Sequence, residues 1–261
     1  MQTKLTPNAK KQAQFRARKR AQGNDLIHVW IPHSVCKKMS RIGIISDIHA
    51  DSIALKEALV QMERLRCDRI ICPGDLVDYG AHPDETIALV REREIPCIMG
   101  NHDRWAVENW NETLTSSARG RRLALGSLEW IASLPGAWDT EVEGVRVAMR
   151  HGDWWGDEPY PDEIDERRMQ FYFSHVNADI LIVGHVHVPY EIRWAGKALL
   201  NPGAVLLGRA PDNLVVSDNP GGTFGILELP SRRFTVHATL DGAELDIIRT
   251  TLDEHAAATR I

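Results

Sequence analysis

The sequence predicts an α/β fold, and three observations lead there. Five short apolar runs each end at a turn that holds His, Asp or Asn. Ile42–Ile45 precedes Asp47 and His49, Ile70–Cys72 precedes Gly74 and Asp75, and Ile95–Met99 precedes Gly100-Asn101-His102-Asp103. Val145–Met149 precedes His151-Gly152-Asp153, and Ile180–Val183 precedes Gly184-His185-Val186-His187. Apolar runs that stop at Gly or a polar turn read as buried strands. The early runs also alternate with amphipathic helical stretches, the pattern of βαβ units and a parallel core. The second half is mostly alternating strands and turns, which predicts a second sheet packed on the first. Ligands gather at the carboxyl ends of strands in such sheets, so the five turns are the candidate site.

The chain opens on a basic leader, residues 1–38. It holds nine Lys/Arg against one acid, whereas residues 39–261 hold 22 basic against 35 acidic side chains. Gln and Ala between Arg16, Arg18, Lys19 and Arg20 permit a helix over Ala9–Gln22, followed by a β-like run, Leu26–Ile31, and Pro32. The expectation is a flexible basic tail; the alternative is a fused remnant of a nucleic-acid-binding arm. The acidic remainder will not hold nucleic acid by bulk charge, but it suits divalent cations.

From Met39 the order is regular. Arg41–Ser46 is the first expected strand. Asp51 or Ser52 caps a helix that puts Leu55, Ala58, Leu59 and Met62 on one face. Asp68–Cys72 is the second strand, Pro83–Arg93 a helix with Ile87 and Val90 inward, and Ile95–Met99 the third strand. Residues 104–135, rich in Trp and Arg, read as a helical excursion over the site. Ala137–Thr140 and Val145–Met149 flank Glu143-Gly144 as a hairpin, and Glu163–Asn177 is a helix. Strands are expected at Ile180–Val183, Tyr190–Trp194, Ala198–Leu200, Phe224–Leu229 and Phe234–Ala238, with a closing helix over Ala243–Ala258.

No apolar run approaches the roughly 20 residues of a membrane span, and the N-terminus has no secretory h-region. Cys36, Cys67, Cys72 and Cys97 form no Cys-x-x-Cys pair. Cys72 and Cys97 fall inside expected strands and read as small buried apolar residues, which predicts a reducing, cytoplasmic setting.

The clusters offer hard oxygen and borderline nitrogen without thiolate, a donor set for Mn²⁺, Fe or Zn²⁺. One metal needs roughly four to six ligands, water included. Asp47, His49, Asp75, Asn101, His151, His185 and His187 are therefore enough for two metals sharing a carboxylate. Two metals roughly 3.5–4 Å apart can clamp a phosphoryl group and generate a bridging hydroxide for in-line attack. His102 is not needed for that count; as an imidazolium it can protonate the leaving alkoxide. Asp103 is expected to hydrogen-bond His102, fixing its tautomer and raising its pKa.

Asp47-x-His49, Gly74-Asp75, Gly100-Asn-His-Asp103, His151 and Gly184-His-x-His187, with Asn201-Pro-Gly-Ala-Val205 beyond, resemble the ordered signature of the calcineurin-like metallophosphoesterase superfamily. The resemblance spans residues 41–203. It implies a four-layer α/β/β/α sandwich of two mixed sheets flanked by helices, with a dinuclear site. It assigns Asp47, His49 and His187 to one metal, Asn101, His151 and His185 to the other, Asp75 as the bridge and His102 as the acid. Mn²⁺ leads as the metal, with Fe, Zn, Ni or Mg as the other candidates. Among branches, Gly-His-Val-His resembles compact bacterial phosphodiesterases. Gly74-Asp-Leu-Val-Asp-Tyr-Gly80 resembles protein phosphatases and diadenosine tetraphosphatases. Those phosphatases usually carry Asp-Arg-Gly where this chain has Asp78-Tyr79-Gly80.

The expected substrate is a small phosphoester or nucleotide, hydrolysed as a phosphodiester. The alternatives are a phosphomonoesterase or protein phosphatase, a dinucleoside polyphosphate hydrolase, and a non-catalytic metal-binding scaffold. Arg104 is the candidate to replace the missing clamp. Trp154 and Trp155 either stack on the substrate or pack against the 104–135 excursion.

Overall fold

The computed structural model describes residues 39–108, 123–152, 160–207 and 222–252. The expected leader elements, part of the 104–135 excursion, Trp154 and Trp155 lie outside the described residues.

In chain order the elements begin with β1 (Ser40–Ile44), α1 (Ser52–Arg64), β2 (Arg69–Ile71), α2 (Pro83–Glu92), α3 (Asn101–Glu108) and α4 (Leu125–Ala132). There follow β3 (Trp138–Val142), β4 (Val145–Met149), α5 (Glu166–His175), β5 (Ile180–Ile182), β6 (Tyr190–Trp194) and β7 (Lys197–Asn201). The last are β8 (Thr223–Leu229), β9 (Arg233–Ala238), β10 (Glu244–Leu245) and β11 (Ile248–Leu252). One sheet runs β10-β9-β8-β1-β2 and the other β11-β6-β7-β5-β4-β3. Both are mixed: β1 is parallel to β2 and antiparallel to β8, while β4, β5 and β7 are mutually parallel beside antiparallel β3 and β6.

Period-two alternation builds the four layers. Ile42 and Ile44 of β1, with Leu227 and Leu229 of β8, face Val147 and Met149 of β4, Ile180 and Ile182 of β5 and Leu200 of β7. The intervening residues point outward under helices. Phe224 and Ile226 of β8 lie under α1 and α2, through Leu55, Leu59, Met62, Ile87 and Val90. Ala148, Leu181 and Leu199 lie under α5, through Met169, Tyr172 and Phe173. Helices thus cover both outer faces, as the sandwich expectation required. Asp51 caps α1 by accepting from the Ala54 amide at 2.9 Å, and Pro83 starts α2 where its missing N–H is no loss.

Three expectations are corrected. The closing helix over Ala243–Ala258 is absent from the described residues of that span: Glu244–Leu245 and Ile248–Leu252 are strands. β11 pairs in parallel with β6. Its edge position and β-branched Thr250 and Thr251 favour the ladder over a weak helical pattern. The third strand, Ile95–Met99, shrinks to one parallel bridge, Cys72 with Cys97. Pro96 has no N–H to give, so pairing rests on Cys72 N–H to the Pro96 carbonyl, 2.9 Å, and Ile98 N–H to the Cys72 carbonyl, 3.1 Å. The excursion begins earlier than residue 104: α3 opens on Asn101, so Asn101, His102 and Asp103 occupy a first helical turn. α4 buries Ile131 in the core beneath the first sheet's helices.

Candidate metal centre

The seven donor residues stand at neighbouring strand ends. Asp47 and His49 follow β1, Asp75 follows β2, Asn101 opens α3, His151 follows β4, and His185 and His187 follow β5. Backbone pairing continues past the strands and fixes these turns. Asp47 N–H donates to the Gly74 carbonyl (3.1 Å), Ile48 and His49 N–H to the Asp75 carbonyl (2.8 and 3.0 Å), and Gly184 N–H to the His151 carbonyl (2.8 Å).

The turns are tight and unusual. Asp47, His49, Asp75, His185 and His187 all sit at left-handed φ, and so do Ala50, Asp78 and Tyr79, the eight spanning 49° to 77°. L residues avoid this region unless the surroundings impose it. Gly100 is required by close approach: a Cβ there would lie 2.1 Å from Asp75 Oδ1 and 2.5 Å from the Asp75 amide. At Gly184 a Cβ would stand 2.2 Å from Ser46 Oγ and 2.6 Å from Asp47 Oδ2.

The side chains converge in three overlapping groups. Asp47, His49 and His187 are one; Asp75, His151 and His185 are another; His49, Asp75 and His102 are the third, each with donor atoms within 4.8 Å of one another. His49 Nε2 lies 3.0 Å from His187 Nε2, which is 3.3 Å from Asp47 Oδ1. Asn101 Oδ1 lies 2.9 Å from both His151 Nε2 and His185 Nδ1. Asp75 Oδ2 stands 3.1 Å from His151 Nε2 and 3.8 Å from His49 Nε2, between the two sets. Ligands bonded at about 2.1 Å around one octahedral ion stand roughly 3 Å apart, so the donor set fits divalent cations. His49 and His151 turn Nε2 inward because Nδ1 faces a backbone carbonyl, Val77 at 3.1 Å and Pro73 at 2.8 Å. Such contacts orient metal-binding imidazoles.

The electrostatics agree. Burial pulls His49 down to about 4, leaving it neutral with a lone pair to give. Burial resists charge on His151 too, yet the Asp75 carboxylate, helped by Asp47, raises it to about 10. Against their own burial, Asp47 is held below the usual carboxylate range mainly by the His187 imidazole, and Asp75 by His151 with help from His49. A pocket that retains a proton to balance its carboxylates is one where a divalent ion competes for that place.

His102 stands beside the donors, but its partner differs from the expected one. Asp103 turns away from it. Asp103 Oδ2 accepts from the Asp75 and Gly100 amides (2.9 and 3.0 Å), and Oδ1 from the Leu76 amide (2.9 Å). On the first turn of α3, Asp103 faces inward and pins two ligand turns together. The carboxylate on His102 is Asp78, whose Oδ2 is 2.8 Å from Nδ1. Burial opposes charge on His102, but this hydrogen bond and the Asp75 charge raise its pKa. The sequence singled out Asp78-Tyr79 only as a departure from Asp-Arg-Gly, not as neighbours of His102, although Asp78 lies only three residues beyond Asp75. It did not single out Trp105; the Tyr79 and Trp105 rings stand 4.9 and 4.8 Å from His102. Arg104 is half-buried on α3.

Metal-type donors at the strand ends of a two-sheet α/β sandwich define a metallophosphoesterase architecture. The chain matches the calcineurin-like phosphoesterase superfamily domain over residues 40–219. It is similar to an uncharacterized protein of Methanocaldococcus jannaschii, 29% identical over 191 residues that span 70% of this chain and 75% of the relative. A second relative is the "Probable metallophosphoesterase" of Methanothermobacter thermautotrophicus, 28% identical over 177 residues, 67% of this chain and 83% of that protein. The crystal structure of a metallophosphoesterase from Sphaerobacter thermophilus superposes with a TM-score of 0.61 at 26% identity, over 76% of this chain and 87% of that one. The chain belongs to the calcineurin-like phosphoesterase superfamily, a metal-dependent class of phosphoester hydrolases.

Proposed function

We propose that this protein is a phosphodiesterase that uses two divalent metal ions, Mn²⁺ first among them. The observation that carries the reading is the Asp75 carboxylate lying between two groups of donors, with His102 beside it. Asp47, His49 and His187 would hold one ion, and Asn101, His151 and His185 the other. Bound there, the ions supply Lewis-acid activation of water and neutralise phosphoryl charge.

The protein's own groups then have defined tasks. Asp78 holds Nδ1 of His102, so the transferable proton sits on Nε2 and goes to the leaving oxygen. Asp103, engaged by three backbone amides, keeps Asp75 and Asn101 in register. Tyr79 occupies the position where the related phosphatases carry an arginine. A monoester dianion needs that extra cation more than a diester monoanion does, which favours the diester. Free Cys67, Cys72 and Cys97 accord with a cytoplasmic setting. No helix among the described residues is long and apolar enough to cross a membrane.

The test is a parallel assay of bis-p-nitrophenyl phosphate, p-nitrophenyl phosphate and diadenosine tetraphosphate with Mn²⁺. The diester should be turned over fastest. Preference for the monoester or the tetraphosphate at equal metal loading would replace the reading by one of those activities.

A further inference from the structure

We propose that Trp105 and Tyr79 form an aromatic wall beside His102 that selects a nucleobase on the leaving-group side of the substrate. The proposal rests on the phosphodiesterase reading above and names the substrate class that fits it.

Three rings surround the acid: Trp105, Tyr79 and the His49 imidazole, the last 4.8 Å from His102 between centroids. The Trp105 ring meets His102 at 4.8 Å between centroids and 63°, and Tyr79 meets it at 4.9 Å and 54°. Tyr79 also stands 4.7 Å from His49, so it spans from the acid to a donor residue. Trp105 lies three residues after His102 on α3, which places both on one helix face. It is 47% exposed, although a Trp gains more than any other side chain from burial.

The leaving oxygen must come within roughly 2.6–3.2 Å of His102 Nε2 to receive its proton. In a nucleotide that oxygen is carried by the sugar, and the base lies one sugar further out, within reach of the exposed indole. There a flat base stacks, whereas a bare sugar or an alkyl chain offers no face to match it. Stacking of one base on an aromatic side chain raises affinity by about 5- to 150-fold. The competing account is that both rings only brace His102. Bracing would affect every substrate alike, whereas a wall acts on the base alone.

The test uses the full-length, Mn²⁺-loaded protein and two probes that differ only in the base, AMP and ribose 5-phosphate. Binding is measured by calorimetry for the wild type, Trp105→Leu and Tyr79→Phe. The wild type should bind AMP at least about 5-fold more tightly than ribose 5-phosphate. Trp105→Leu should lose that gap with ribose 5-phosphate unchanged, and Tyr79→Phe, which keeps its ring, should retain it. Equal wild-type affinities, or equal weakening of both probes in Trp105→Leu, would overturn the wall. Failure of the underlying reading looks different: no turnover of bis-p-nitrophenyl phosphate, or faster turnover of the monoester or the tetraphosphate, at equal metal loading. Turnover without an AMP preference rejects the wall alone.

Discussion

Gly100→Ala isolates the geometry of the shared carboxylate. Gly100 has an ordinary φ, so alanine brings no backbone strain and the perturbation is one methyl group. Its Cβ would fall 2.1 Å from Asp75 Oδ1 and 2.8 Å from Asp75 Cγ, and ordinary contact begins near 3.4 Å. Asp75 must therefore retreat by roughly 1 Å, while metal–ligand distances tolerate about 0.2 Å. The retreat also breaks the bond from the His102 amide to Asp75 Oδ1, now 2.9 Å. Overpacking of this kind costs about 1–3 kcal/mol, and a misplacement of about 1 Å costs on the order of 100-fold in rate. Elemental analysis after Mn²⁺ loading should give clearly fewer metal equivalents than wild type, with turnover down on the order of 100-fold. The control is Gly126→Ala in α4, where a Cβ meets nothing within 4 Å; it should leave metal and rate unchanged. A Gly100→Ala protein with wild-type metal content and turnover would refute the placement of Asp75.

Three further outcomes are expected. Asp78→Asn removes a charge-assisted hydrogen bond worth about 1.5–3 kcal/mol, so turnover of alkyl diesters should fall by about 10- to 100-fold, with a smaller loss for nitrophenyl esters. Because Asp78 raises the His102 pKa, the basic limb of the pH–rate profile should move to lower pH in that variant; an unmoved limb counts against the pairing. Asp179 takes the Arg146 amide at 2.9 Å and its guanidinium at 3.0 Å, which holds its carboxyl down to about 2. Discounted for solvent, Asp179→Asn should cost roughly 1 kcal/mol in thermal unfolding. That contribution is present above the unfolded carboxylate pKa near 4 and fades as pH falls towards 2, so a wild-type advantage that grew in acid would contradict it. A chain starting at Met39 should keep full turnover, since every donor lies beyond it. Retardation of DNA at low salt by the full-length protein alone would assign the leader to nucleic acid, and loss of turnover would place it in the catalytic body.

The convergence of the seven side chains was legible in the sequence because each follows an apolar run, and those runs end at one edge of the packed sheets. The sandwich was legible for a related reason: alternation in Val147-Ala148-Met149 and Ile180-Leu181-Ile182 declares which face meets the other sheet. The failures share a cause. Whether Asp103 or Asp78 reaches His102 depends on which way a helical first turn points, and adjacency in sequence says nothing of that. The fate of residues 244–252 depends on two open sheet edges, one beside β9 for β10 and one beside β6 for β11, which only tertiary structure reveals.

The left-handed donors have an evolutionary consequence. Five of the seven occupy backbone conformations that any glycine would hold more comfortably. At about 1 kcal/mol each, their combined burden is roughly 5 kcal/mol, comparable with the whole margin of a typical domain. Selection for a sturdier molecule alone would work against these backbones wherever the strain exceeds what the side chain returns, as the Asp75 carboxylate does by holding the His102 amide. Descendants freed from the need to hold metal should therefore be the more heat-resistant ones, with glycine at positions 47, 49, 75, 185 and 187.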